Sequence, residues 1–232
     1  MSLKVAVVLS GCGVYDGAEI TESTAALIHL SRRGADLKCF APDKPQMHVI
    51  NHLTGDPIEG ETRNVLQESA RIARGSISSL KELNASDFDA VVFPGGFGAA
   101  KNLSSLAIKG KDMDVDPEVD RVLKEFHAAK KVIGLSCISP VLAAKSLPDG
   151  VKITLGMAPK EGEEDGEFPH SWAVPAAQAM GATHEETNKP CDTAVVDTEN
   201  KVVTCAAYMY SGKPHEIYDS LGAMVDKMYE LL

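Results

Sequence analysis

Three short apolar runs, Val5–Leu9, Ala90–Phe93 and Val132–Leu135, each end in a turn of small or ring-constrained residues. The turns are Ser10-Gly11-Cys12-Gly13, Pro94-Gly95-Gly96 and Ser136-Cys137-Ile138-Ser139-Pro140. An apolar run without polar alternation suits a strand covered on both faces, the usual condition of a parallel sheet. After the first run, Glu19–Arg33 carries apolar residues at Ile20, Ala25, Leu27, Ile28 and Leu30 and stops at Gly34, which predicts a helix. Leu37–Ala41 follows as a short strand closed by Pro42. Strand, helix and strand in that order predict a right-handed βαβ unit.

The rest of the chain continues the alternation. Lys44–Glu61 has no clear period and reads as a hairpin or irregular excursion. Asn64–Arg74 reads as helix, and Ser79–Leu83 as a further helical turn. Lys109–Asp116 is expected as a loop, and Pro117–Ala129 as a helix with proline in its first turn. Val132–Leu135 is the fourth core strand, and Pro140–Lys145 opens a helix behind it. Val151–Leu155 is expected as a fifth strand, the acidic Met157–His170 segment as a loop and Ala173–Met180 as a short helix. Ala194–Asp197 and Val202–Ala206 flank Glu199-Asn200, an antiparallel hairpin signal, and His215–Leu232 closes the chain as a helix. Strands alternating with helices imply an α/β three-layer sandwich with a mainly parallel sheet. No linker or internal repeat divides the 232 residues, so residues 1–232 are expected to form one domain.

Composition removes several classes of function. The formal net charge is -10 and no Lys/Arg block occurs, so nucleic acid is not an expected partner. No apolar run approaches the ~20 residues of a membrane span. The five cysteines, Cys12, Cys39, Cys137, Cys191 and Cys205, include no CxxC pair. The odd count argues against a disulfide framework or zinc site and for free thiols in a reducing compartment. Neither a GKS/GKT phosphate loop nor a GxGxxG fingerprint occurs, so no metal or cofactor is expected. The start MSLKVAVVLS has no leader signature. It is compatible with a cytoplasmic chain, or with a mitochondrial-matrix chain whose leader was removed.

Cys137 is the candidate nucleophile. The window Lys131–Val141, KVIGLSCISPV, runs an apolar strand into a tight turn and then a helix start, the context of a nucleophile elbow. Such a turn lifts the side chain above the carboxyl ends of the strands. It also sets the sulfur at a helix N-terminus, which is expected to favour thiolate. Ser139 stands where a GxSxG motif has its second glycine, and a buried structural cysteine is the simpler alternative. Gly95 and Gly96 follow a core strand, where their backbone N–H groups, with that of Ile138, suit an oxyanion hole. A plain tight turn is the competing role. Glu19 and Glu22 open the first helix. Either carboxylate reaches the elbow if the first and fourth strands are neighbours; otherwise both are ordinary helix-start acids.

These pieces in this order resemble the DJ-1/PfpI superfamily of class I glutamine-amidotransferase-like proteins. The similarity is greatest to its ElbB-type branch. It rests on SGCGVYDGAEITE at 10–22, APDKPQMHVINH at 41–52, FPGGFGAAKNL at 93–103 and GLSCISPVLAAK at 134–145. The resemblance covers nearly the whole chain and implies a flavodoxin-like sandwich and a homodimer. It makes Cys137 the elbow cysteine, Glu22 the acid that hydrogen-bonds it, with Glu19 as the fallback, and Gly95, Gly96 and Ile138 the backbone donors. Many relatives have His directly after the cysteine, where this chain has Ile138. His170, in the acidic loop, is the candidate auxiliary group, with His48 and His52 as the other histidines that could reach the site, and for each a surface or loop role is the simpler reading.

Three functions follow as expectations. The first is glyoxalase III-type conversion of a small 2-oxoaldehyde substrate, such as glyoxal or methylglyoxal, to a hydroxy acid without glutathione. Glu22 would then move the proton. The second is a non-enzymatic redox-sensing or carbonyl-scavenging cysteine. The third, a glutamine amidotransferase, fits least, because the position after Cys137 is not histidine.

Overall fold

The computed structural model describes residues 2–159, 166–188 and 191–232. Its seven-stranded sheet is built on β1 (Lys4–Val8), β2 (Asp36–Ala41), β3 (Ile77–Ser79), β4 (Ala90–Phe93), β5 (Val132–Ser136), β8 (Val195–Asp197) and β9 (Val202–Cys205). The strand order is β3-β2-β1-β4-β5-β9-β8. All neighbours are parallel except the β8–β9 hairpin. The central strands β1, β4 and β5 are buried along almost their whole length, as their unbroken apolar runs require.

Helices α1 (Ile20–Arg32), α2 (Val65–Ile72), α5 (Pro117–Ala128), α6 (Pro140–Ser146), α7 (Ala173–Ala179) and α8 (Pro214–Leu231) flank the sheet, giving the expected α/β layers. α1 and α8 pack against each other, and α8 continues onto β5 and β9. Gly134 lets α8 approach β5: a Cβ there would lie 2.5 Å from the Met228 sulfur.

One local reading is corrected, and elements not assigned from sequence are added. Val151–Leu155 is not a strand of the main sheet. Only Lys152–Ile153 is extended, as β6, and it pairs in parallel with β7 (Thr183–His184) in a separate two-stranded sheet. The parallel strand next to β5 is β9, because Ile133–Ser136 pairs with Val202–Cys205 along the edge of β5. Ile77–Ser79 is a strand, β3, although its three residues are too few to show a period. The stretch after Gly96 holds two short helices, α3 (Phe97–Lys101) and α4 (Leu106–Lys109). Part of the expected 157–170 loop, residues 160–165, lies outside the described residues.

The 41–64 excursion is tied to the sheet by buried polar groups. Asn102 is buried; its amide donates to the Ser10 carbonyl at 2.9 Å and the Asp16 carbonyl at 2.8 Å. Its Oδ1 accepts from the Met47 N–H at 3.0 Å. Asp16, also buried, accepts from the Ile50 N–H at 2.8 Å. Three of the four sequence motifs, 10–22, 41–52 and 93–103, thus act as parts of one clamp. Asn102→Ala leaves these buried partners unpaired, and urea titration is expected to show a loss of about 2–3 kcal/mol.

Candidate active site at Cys137

Four adjacent strands deliver the site from their carboxyl ends. β1 leads to α1 with Glu19 and Glu22, β4 to Gly95-Gly96, β5 to Cys137, and β9 to Tyr208. Cys137 has φ 58°, a left-handed backbone that non-glycine residues seldom adopt and that costs about 1–3 kcal/mol. The turn is held by the Cys137 N–H to the Cys205 carbonyl at 3.0 Å and by the Ser139 N–H to the Ser136 carbonyl at 3.0 Å. The Ser139 hydroxyl, standing where a second elbow glycine would be, donates to the Pro94 carbonyl at 2.7 Å. It ties the elbow to the β4 turn.

β1 and β5 are not neighbours, contrary to the condition set from sequence: β4 lies between them. Glu22 nevertheless meets Cys137, because the residue between them is Gly95. A Cβ on Gly95 would lie 2.3 Å from Cys137 Cβ and 2.6 Å from Glu22 Oε2. The missing side chain is the gap through which the carboxyl reaches the thiol.

Glu22 is fully buried. Its Oε2 accepts from the Gly95 N–H at 2.9 Å and the Ser136 hydroxyl at 3.1 Å, and its Oε1 from the Tyr208 N–H at 3.2 Å. Burial, then the Glu19 charge, pushes its pKa up to about 7 against these donors. Burial, with the Glu22 charge, also pushes the Cys137 thiol well above its usual value, while hydrogen bonds from the Gly96 and Ile138 amides pull it down. The thiolate expected from the helix N-terminus is therefore overturned: α6 is a single short helix, and desolvation outweighs it. Glu22, at about 7, therefore loses its proton before the thiol, and each charge opposes the other. The Glu22 carboxyl is hydrogen-bonded to the thiol, within reach of its proton.

The other sequence candidates take different places. The Gly95 N–H is bonded to Glu22 and also lies 3.1 Å from the Ser136 hydroxyl oxygen, so it is no oxyanion donor. The Gly96 and Ile138 amides address the sulfur itself. Glu19 caps α1, its Oε2 accepting from the Glu22 N–H at 2.7 Å. It lines an outer cleft rather than touching the thiol. His52 stacks on Tyr15 and belongs to the 41–64 clamp, with its Nδ1 3.1 Å from the Ile50 carbonyl. His170 does reach the site. With Val14, Gly96, Phe97, Ile138, Tyr208 and Met209 it lines a throat of about 20 Å³ over Cys137. Burial lowers its pKa, so the imidazole is neutral at pH 7. Tyr208 was missed from sequence. Its placement depends on Ala207, whose φ of 41° turns the chain after β9, and no glycine marks that turn. Among the described residues, no group of three or more His, Cys, Asp or Glu is placed to hold a metal ion. No helix there is long and apolar enough to cross a membrane.

Sheet order, elbow and buried acid together define a cysteine-elbow α/β protein, and its fold is that of solved DJ-1 and ThiJ/PfpI structures. No protein-family model matches the chain. It is 58% identical over 228 residues to the human protein named glutamine amidotransferase-like class 1 domain-containing protein 3, mitochondrial, covering 98% of this chain and 83% of that protein. The rat ES1 protein homolog, mitochondrial, is also 58% identical, with 98% and 84% covered. The chain thus belongs to the glutamine amidotransferase-like class 1, or ES1, family. An isoprenoid biosynthesis protein with an amidotransferase-like domain from Ehrlichia chaffeensis superposes with a TM-score of 0.87 at 35% identity, covering 99% of this chain and all of that one. Glyoxalase III from Candida albicans shares the fold, with a TM-score of 0.60 at 14% identity and coverage of 99% and 97%.

Below pH 7 Glu22 holds its proton and cannot accept that of the thiol; above it the pair carries a negative charge. Iodoacetamide labelling of Cys137, followed by peptide mass spectrometry, is therefore expected to accelerate as pH rises through about 7. Glu22→Gln is expected to abolish that inflection. Gly95→Ala closes the gap between carboxyl and thiol. It is expected to cost about 1–3 kcal/mol in urea titration and to flatten the same labelling profile.

Proposed function

We propose that the chain is a glutathione-independent, glyoxalase III-type enzyme converting 2-oxoaldehydes to 2-hydroxy acids. The observation that carries this reading is the pairing of two proton-transfer groups at one thiol. Glu22 lies beneath Cys137 and lines neither the throat nor the outer cleft, whereas neutral His170 lines both. Glu22 takes the thiol proton as sulfur attacks the aldehyde carbon, forming a hemithioacetal. His170 then removes the hydrogen from that carbon and returns it to the neighbouring carbonyl carbon. The product is a 2-hydroxy thioester, which water cleaves to the hydroxy acid and free thiol. One water is added overall, and no oxidant is needed. Assigning the carbon proton to His170 replaces the role given to Glu22 from sequence, since Glu22 faces the sulfur from below.

The throat is the obstacle. At about 20 Å³ it has room for a single water, so a carbonyl head enters only when the edge-on Phe97–His170 pair, 5.3 Å between ring centres, parts. The same size favours a second reading, in which a small oxidant such as peroxide needs less opening than a 2-oxoaldehyde to reach Cys137 and the thiol serves as a sensor. Burial of the thiol weighs against it, because oxidation needs thiolate. The names of the relatives support a mitochondrial location. The family resemblance supports a homodimer.

With methylglyoxal as substrate, lactate formation is expected in the wild type and at least 1000-fold less in Cys137→Ser. His170→Gln is expected to lower kcat by about 100-fold, within the range of general acid–base contributions, while Cys137 still labels with iodoacetamide. Stoichiometric thiol modification without lactate would remove the enzyme reading.

A further inference from the structure

The throat over Cys137 opens into a cleft of about 410 Å³, and the two share Val14, Phe97, His170 and Tyr208 as walls. The cleft is far larger than a three-carbon substrate requires. Tyr15, Tyr210 and Glu19 complete its outer part. Several of its rings are held by a neighbour. His52 packs on Tyr15 at 5.1 Å between ring centres, and Phe168 on Tyr210 at 5.4 Å. Neither His52 nor Phe168 lines the cleft; they stand behind the rings that do. Gly212 closes on Tyr210 as well, since a Cβ there would lie 2.9 Å from the ring. The Lys101 ammonium sits 5.7 Å from the Phe97 ring centre and is anchored at 2.7 Å on the Tyr15 carbonyl. An aromatic wall braced in this way is set before any ligand arrives, which lowers the ordering cost of binding a flat group.

We propose that the cleft is a subsite for an aryl tail, so that the substrates are carbonyl compounds whose reactive head enters the throat while a planar aromatic group lies among Tyr15, Phe97, Tyr208 and Tyr210. The assignment of a reactive head rests on the function proposed above; the tail subsite rests on the cleft alone. Phenylglyoxal is then a better substrate than methylglyoxal, mainly through KM.

Two measurements test this separately from the reaction. In the first, kcat/KM is compared for phenylglyoxal and methylglyoxal. The expected preference is at least 10-fold for phenylglyoxal, falling at least 3-fold in Tyr210→Ala and kept in Tyr210→Phe. Tyr15→Ala serves as the second ring variant should Tyr210→Ala not fold. In the second, acetophenone and 2-butanone are tested as protectants of Cys137 against iodoacetamide. Acetophenone is expected to protect at concentrations where butanone does not, and less so in the ring variants. Equal protection by the two ketones, or protection unchanged by loss of either ring, overturns the subsite. Acetophenone protection without turnover of either aldehyde supports the subsite and removes the glyoxalase reading instead.

Discussion

The contact between Glu22 and Cys137 across Gly95 is the constraint on which the rest of the site depends. It joins α1, β4, β5 and β9, because the same carboxyl takes donors from Gly95, Ser136 and Tyr208. A carboxyl this deep is tolerated only where its oxygens are hydrogen-bonded. The left-handed turns at Cys137 and Ala207 serve that need, one presenting the thiol and the other the Tyr208 N–H. Strain in the backbone is thus placed where it satisfies a buried charge.

Burial also decides how the cysteine works. A helix N-terminus and two amides favour thiolate, but desolvation and the Glu22 charge oppose it more strongly. The protein holds a protonated thiol beside the Glu22 carboxyl, which suits attack in concert with proton transfer. Such a thiol is guarded from casual oxidation. Access to the thiol runs past the same few walls, since Phe97, His170 and Tyr208 bound both the narrow throat and the wide cleft.

Position in the fold separates groups that look alike in the chain. Glu19 and Glu22 are three residues apart at the start of one helix, yet one caps the helix at the cleft and the other is sealed beneath the sulfur. Gly95 and Gly96 are adjacent, yet the first has its N–H on Glu22 and the second on the thiol. Lengthening any of these reaches by one side chain would disconnect the pair.

The residues by themselves determined the alternation of buried strands and helices, the elbow at Cys137 and the pairing of Val195–Asp197 with Val202–Cys205. Each is a local pattern of hydrophobicity or turn chemistry that neighbours in sequence express. Tertiary structure decided what depends on distance across the sheet. It placed β4 between β1 and β5, made β9 rather than Val151–Leu155 the next parallel strand, and brought His170 and Tyr208 to the throat. It also reversed the expected ionisation of Cys137, because desolvation is a property of everything packed around the sulfur and no local motif records it.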